Sequence, residues 1–445
     1  MQIKHKRLIT LFFAVLILTF NLGTTVNAER NNGTEETKQG WYRNRKTDEL
    51  RYYDGGEPVT GFAEINGKIY FFNSKGNMIV NKWIKHNNSV YYFGENGRAL
   101  TGRQIINGKE FTFDESSRYL CRHIDTDIVD SSDGFYTYAE MSDDIARLLK
   151  IYPDIIQCNV IGTTADKRNI YDIVMGNPDA DKQVVVQASC HAREYMTSLL
   201  VMEQLEYCLN KYYTGTYNGV LFKDLFNEYA FHIIPMLNPD GVTISQYGKN
   251  GLRSEILRKN AEVYYRNAVT WGYTNYSESQ YYQRWKANAR GVDINSNFNG
   301  RWDEIKLLNG PCGWGYKGDF PECEIESKCI ADLIRSLSNP VTVISYHATG
   351  SVIWWDYGQA GDFRSRCIKQ LNTVENLTGY RRQPYSPYSA GGLSDWIIAD
   401  SKNSTVPQTI EIGVDMAPLK DSEYPAVWQR NYLIFPAVAY LYYYE

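Results

Sequence analysis

His191 and Glu194 stand three residues apart where the run Lys182-Gln183-Val184-Val185-Val186-Gln187 gives way to a helical pattern. A turn at that junction aims an imidazole and a carboxylate at one point. Two histidines and a glutamate are a donor set that zinc takes in hydrolytic sites, with a fourth position left for water. His-x-x-Glu is too short to carry that reading by itself, so the remaining histidines decide. Of the six in the chain, His5 lies in the basic N-terminal start, and His86 and His123 lie in or beside an aromatic repeat array. His232 sits inside the apolar run Phe231–Ile234, where a hydrogen-bonded core role is expected. His347 ends the run Val341–Tyr346 and is the natural third ligand, 156 residues after His191. Glu411 lies between Ile410 and Ile412. A carboxylate there is costly unless it faces a cleft or a metal.

The elements that must position these groups follow from periodicity. Helical spacing at Met141–Ile151 and Met196–Tyr213 alternates with β-branched runs at 182–187, 231–234, 341–344 and 409–412. Strands alternating with helices predict one α/β domain, placed at 122–445. The 445 residues exceed one ordinary domain. With 43% hydrophobic and 22% charged residues, a buried core is expected and wholesale disorder is not. A formal charge of −4 argues against nucleic-acid binding through a general basic surface. Lys4, Lys6 and Arg7 precede the apolar stretch Leu8–Phe20, and small residues end at Ala28. This pattern predicts a secretory signal peptide at 1–28 rather than a membrane anchor, and a linker at 29–39. Eight cysteines in an exported chain permit disulfides. Cys312 and Cys323 are the candidate pair, against free buried thiols.

Residues 40–121 repeat with a period near 20. Trp41, Phe62, Trp83 and Arg103 are spaced by 21, 21 and 20 residues. Each is followed by an aromatic cluster: Tyr52-Tyr53, Tyr70-Phe71-Phe72, Tyr91-Tyr92-Phe93, and Phe111-Thr112-Phe113. Asn-Gly pairs between aromatic strands signal hairpins. A lone hairpin cannot bury its aromatic face, so successive units are expected to stack into a β-solenoid. The array resembles the cell-wall-binding repeats of Gram-positive surface proteins and clostridial toxins. That resemblance implies binding of a cell-wall glycan or teichoic-type polymer, with Trp41, Tyr53, Phe62, Phe72, Trp83 and Tyr92 as candidate contacts. A choline cage needs several aromatic faces around the cation. Arg51, Ile69 and Val90 occupy the positions where such cages usually add a tryptophan, which favours a carbohydrate.

The second segment resembles the zinc carboxypeptidase family. The matching pieces are His191-Ala192-Arg193-Glu194, Met236-Leu237-Asn238-Pro239-Asp240-Gly241, Arg290-Gly291-Val292-Asp293-Ile294-Asn295, His347, Gly391-Gly392-Leu393-Ser394-Asp395-Trp396, and Thr409-Ile410-Glu411, in the family's order. The resemblance implies a mixed eight-stranded sheet flanked by helices and one zinc ion, held by His191, Glu194 and His347. It implies Glu411 as general base, Arg193 as a contact on the non-leaving side of the substrate, and Asp293 as the carboxylate orienting the first zinc histidine. Asn295 matches the asparagine that helps hold a terminal carboxylate.

The departures from the pattern bear on substrate. The family's carboxylate-binding arginine follows that asparagine, and here the position holds Ser296. Loss of a bidentate guanidinium weakens the grip on a free α-carboxylate. The carbonyl-polarising cation falls within Arg284-Trp285-Lys286 or at Arg290. The family's mobile tyrosine maps onto Pro387, and Tyr388 fills the role with a one-residue shift. Ser394 stands at the base of the side-chain pocket, with Asp395 as the nearby acid. The expected protein is a secreted, wall-tethered zinc metallopeptidase acting on peptidoglycan stem peptides at a γ-D-glutamyl–diamino acid bond. The alternatives are a conventional carboxypeptidase and an inactive wall-binding adhesion protein.

Overall fold

The computed structural model describes residues 38–444 except 45–46, 87–88, 107–108, 114–119, 123–126, 306–307, 385–390 and 401–404. The expected signal peptide, most of the expected linker, and Tyr388 lie outside the described residues. The chain divides between residues 124 and 125 into two compact units.

The first unit is a series of antiparallel hairpins: Gly40–Arg43 with Leu50–Asp54, Gly61–Ile65 with Lys68–Phe72, Lys82–His86 with Ser89–Phe93, and Gly102–Ile106 with Lys109–Phe113. Asn66 and Gly67 both take positive φ (51° and 67°), the backbone a two-residue hairpin turn requires. The anchor of each hairpin packs on the aromatic strand of the next. Trp41 lies 5.0 Å from Tyr70, Phe62 4.7 Å from Tyr91, and Trp83 4.9 Å from Phe111. The period near 20 is thus the spacing that lets one hairpin cover its successor. Phe72 corrects one expectation. Only 1% of it is exposed, so it is core and has no face for a ligand. Trp41 is 39% exposed, and Tyr53, Phe62, Trp83 and Tyr92 are half-buried.

The second unit is built on a mixed eight-stranded sheet. Its order is Ile156–Thr163, Asn169–Gly176, Tyr229–Ile234, Lys182–Gln187, Pro340–Ala348, Val406–Ile412, Val352–Trp354, Arg381–Arg382. The four middle strands run parallel and the flanking ones include antiparallel pairs. Val184, Val185 and Val186 are fully buried, as expected of a strand covered on both faces. Helix Met196–Lys211 is buried nearly all round, and Leu199, Leu200 and Leu205 join the sheet in the main core. Open sheets with parallel middle strands place ligands beyond the carboxyl ends of those strands. His191, Glu194, His347 and Glu411 all lie there.

Among the described residues no helix is long and apolar enough to cross a membrane. The suggested Cys312–Cys323 pair is not formed. Cys312 Sγ lies 3.2 Å from the Tyr281 hydroxyl, and Cys323 Sγ accepts from Asn297 Nδ2 at 3.2 Å.

Candidate active site

The strand Lys182–Gln187 ends in a tight turn that carries both His191 and Glu194. Ser189 takes φ +49°, uncommon for a residue with a side chain. The surroundings hold it there. Its N–H donates to Thr197 Oγ1 at 2.9 Å, and its hydroxyl lies 2.6 Å from that of Ser198, at the start of the following helix.

Asn238 ties this turn to the loop bearing the cleft's lysine. Its amide donates to the carbonyls of Cys190 and Ala287, each at 3.1 Å, while its oxygen accepts from Gly241 N–H at 3.0 Å. A Cβ on Gly241 would fall 2.4 Å from the Ala287 carbonyl oxygen, so this approach needs glycine. The Asn-Pro-Asp-Gly segment therefore caps a helix and holds two site loops together. Asn288 shapes the next loop by accepting from the N–H groups of Arg290 and Val292 and donating to Glu324.

Three donors converge at the centre. His191 Nδ1 is 2.9 Å from Glu194 Oε1, His347 Nδ1 is 3.0 Å from Glu194 Oε2, and the two Nδ1 atoms are 3.1 Å apart. His191 Nε2 faces Asp293 Oδ1 at 3.3 Å, and His347 Nε2 faces Ser345 Oγ at 3.1 Å. With the His191 proton assigned to Nε2, its Nδ1 lone pair meets the Glu194 carboxylate and the other Nδ1. A shared cation relieves that crowding of electron pairs, so the donor set fits zinc.

The charges agree with this geometry. Burial would raise the Glu194 carboxyl, but His191 and His347 hold it well below the ordinary carboxylate range. Burial likewise opposes ionisation of Asp293, and Lys286, His191 and the Gly315 N–H outweigh it, so this carboxyl too is lowered. Glu411 pairs in register with His347 on the adjacent strand. Burial pushes its carboxyl up to about 7, with Glu194 adding to the rise and His347, Lys286 and Arg193 opposing it.

A cleft of 540 Å³ opens over this centre. At one end Arg284 lies over the Tyr276 ring, 4.9 Å from its centroid, and Arg193 Nη1 donates to the Arg284 carbonyl at 3.4 Å. Met416 also lines this end, against Arg284. Asn295 and Ser296 line the cleft as well. Asn295 Oδ1 accepts from Leu393 N–H at 3.2 Å, and a Cβ on Gly392 would come within 3.3 Å of both Asn295 and Asp395. Ser394 Oγ lies 3.0 Å from Thr409 Oγ1, which also meets the Tyr357 hydroxyl at 3.1 Å.

Arg290 is the second correction. Its side chain is largely exposed and turns to Glu324, 3.9 Å away, rather than into the cleft. Lys286 stands in the cleft wall instead, 3.9 Å from Asp293, and its charge acts on His191 and Glu411. Sequence reasoning missed Tyr276, Trp314 and Met416 as cleft residues. Trp314 did carry a signal, an aromatic within the Gly-rich stretch 310–318. His232 has the expected core role, with Nδ1 2.9 Å from Asp172 Oδ2.

Against known protein families, the zinc carboxypeptidase model matches residues 141–432, and a choline-binding repeat model matches residues 59–96. Among curated relatives, gamma-D-glutamyl-L-diamino acid endopeptidase 1 of Lysinibacillus sphaericus is 31% identical over 312 residues, 69% of this chain and 72% of that protein. Carboxypeptidase B of Rattus norvegicus is 27% identical over 260 residues, 55% of each chain. Among solved structures, thrombin activatable fibrinolysis inhibitor superposes with a TM-score of 0.54 at 19% identity, over 71% of this chain and 79% of that one, a likeness of fold.

Proposed function

The chain belongs to the zinc carboxypeptidase family and is a zinc metallopeptidase, and from that premise we propose that it cuts peptidoglycan stem peptides at the γ-D-glutamyl–diamino acid bond. The observation that carries this reading is Ser296. It stands where a conventional carboxypeptidase needs a guanidinium to clamp the substrate's terminal carboxylate. The relative named as a γ-D-glutamyl-L-diamino acid endopeptidase supports the same assignment.

In the mechanism, His191, Glu194 and His347 would hold the metal. Bound zinc supplies Lewis acidity toward water and toward the scissile carbonyl oxygen. Asp293 accepts the Nε2 proton of His191 and fixes its orientation. Glu411 takes a proton from the attacking water on its carboxylate oxygen and delivers it to the leaving amine. Lys286 contributes positive charge beside the reacting carbonyl. Arg193 contacts the acyl side, and Asn295 and Ser296 face the leaving side. Ser394 and Asp395 shape the leaving-side pocket.

The repeats are proposed to hold the exported protein at the cell wall, which raises the local concentration of substrate. The match to choline-binding repeats supports attachment to a wall polymer. The test is mass spectrometry of products from the zinc-loaded protein, given stem peptides and, separately, ordinary peptides with free C-termini. Release of the diamino acid fragment from stem peptides alone is the expected result. Trimming of ordinary C-termini would replace this reading with a conventional carboxypeptidase.

A further inference from the structure

We propose that Arg193 and Arg284 form a carboxylate-reading subsite on the acyl side of the cleft, which takes the free α-carboxylate of the glutamyl residue whose γ-carbonyl is attacked. The inference rests on the γ-glutamyl reading above and adds which group of that substrate is recognised.

Among the described residues neither guanidinium has an acid partner. Arg193 has a buried Nε with no hydrogen-bond partner, and its Nη1 reaches only the Arg284 carbonyl. Arg284 rests on the Tyr276 ring and Met416 Sδ, partners that position a guanidinium without neutralising it. Arg168, Arg335 and Arg364 of this unit are paired with acids, whereas Arg253, Arg258 and Arg430 also bond carbonyls only; Arg193 and Arg284 differ from those three in lining the cleft. The hydrogen bond ties Arg193 to the Arg284 backbone, so two guanidiniums without an acid partner line one cleft, and an incoming carboxylate supplies the missing counter-charge.

The substrate chemistry supplies the anion at the matching place. In an ordinary peptide the acyl-side residue presents a neutral amide next to the attacked carbonyl. In a γ-glutamyl bond that residue carries a free α-carboxylate four bonds from the attacked carbon. At about 1.5 Å per bond, it reaches roughly 5 Å to the acyl side. Arg193 follows His191 by two residues and lines the same cleft, so it stands beside the reacting centre. Guanidinium–carboxylate pairing is bidentate and charge-assisted, and a carboxamide cannot replace it.

The experiment compares kcat and KM on two stem tripeptides that differ only at that group, one with γ-D-glutamate and one with its α-carboxamide, D-isoglutamine. Wild-type protein, Arg284→Met and Arg284→Lys are each zinc-loaded and checked by thermal melting. The expected result is a wild-type preference for the free acid of about tenfold or more in kcat/KM, carried mainly by KM. Arg284→Met collapses that preference toward one, and Arg284→Lys keeps part of it. Equal rates of the wild type on acid and amide overturn the proposal while leaving γ-bond cleavage standing. An unchanged acid-to-amide ratio in a folded Arg284→Met protein also overturns it. Failure to cut either γ-linked peptide, with trimming of ordinary C-termini, overturns the γ-glutamyl reading and this proposal with it.

Discussion

At the end of the cleft that we assign to the acyl side, Arg193 and Arg284 carry positive charge and are held by a ring, a sulfur and a backbone carbonyl. The residues proposed for the leaving side are neutral or acidic: Asn295 and Ser296, which line the cleft, and the buried Ser394 and Asp395. A peptidase that removes C-terminal residues needs a cation on the leaving side, because its substrate's anion is there. Keeping the family's Arg193 with Arg284 beside it, while Ser296 replaces the leaving-side arginine, suits a bond whose free carboxylate belongs to the acyl residue. It also suits a leaving side that continues as peptide. The centre itself, between the two ends, has the donor set of its family. Substrate choice can therefore change while the chemistry is retained.

The largest effects come from breaking the centre that both ends share. Chelation of zinc or the change Glu411→Gln is expected to lower kcat on stem peptides by about 10²–10⁴-fold or more. Elemental analysis should find zinc still bound in Glu411→Gln, which separates loss of the base from loss of the metal. Asp293→Asn leaves the His191 proton without its acceptor charge and is expected to cost about 10–100-fold in zinc affinity or activity. Zinc titration followed by activity reads it.

Ser296→Arg sharpens the comparison by rebuilding the leaving end. It should raise kcat/KM about tenfold on substrates that end in a free α-carboxylate at the leaving residue, as a charge-assisted pair would. Stem peptides extended beyond the diamino acid should not gain. Equal gains on both would mean that position 296 does not face the leaving residue's carboxylate.

The pH profile tests the centre more gently. Glu411 must be ionised to accept a proton, so activity falls as pH drops through its pKa. Its carboxyl is pushed up to about 7, and the zinc charge draws it down. The acid limb of kcat/KM is thus expected at or below about 7, and absent from the residual activity of Glu411→Gln. The smallest effect concerns the repeats. Trp41→Ala should weaken retention on purified cell walls and leave hydrolysis of soluble stem peptides unchanged.

Much of the centre was legible because its residue types are scarce and its strands are strongly patterned. Few histidines compete for the ligand role, and apolar runs delivered His191, His347 and Glu411 to the same edge of the sheet. The cleft wall was less legible. Residues 284–293 form a loop without periodicity, so which cation enters the cleft depends on turns set by Asn288 and Asn238. These turns send Arg290 outward and leave Lys286 inward. In the repeats, Tyr70 and Phe72 alternate with Phe71 and share the buried face. Sequence supplies the alternation, but which face is covered depends on the Trp41 of the preceding hairpin. Met416 had no signal, since it reaches the cleft only through the loop after the last strand of the parallel set.

The most direct test of the account is hydrolysis of two isomeric tripeptides that differ only in whether D-glutamate is linked to the diamino acid through its γ- or its α-carboxyl. Zinc-loaded protein should release the diamino acid from the γ-isomer and leave the α-isomer intact over the same time. Equal or faster cleavage of the α-isomer would contradict the assignment of the two ends of the cleft.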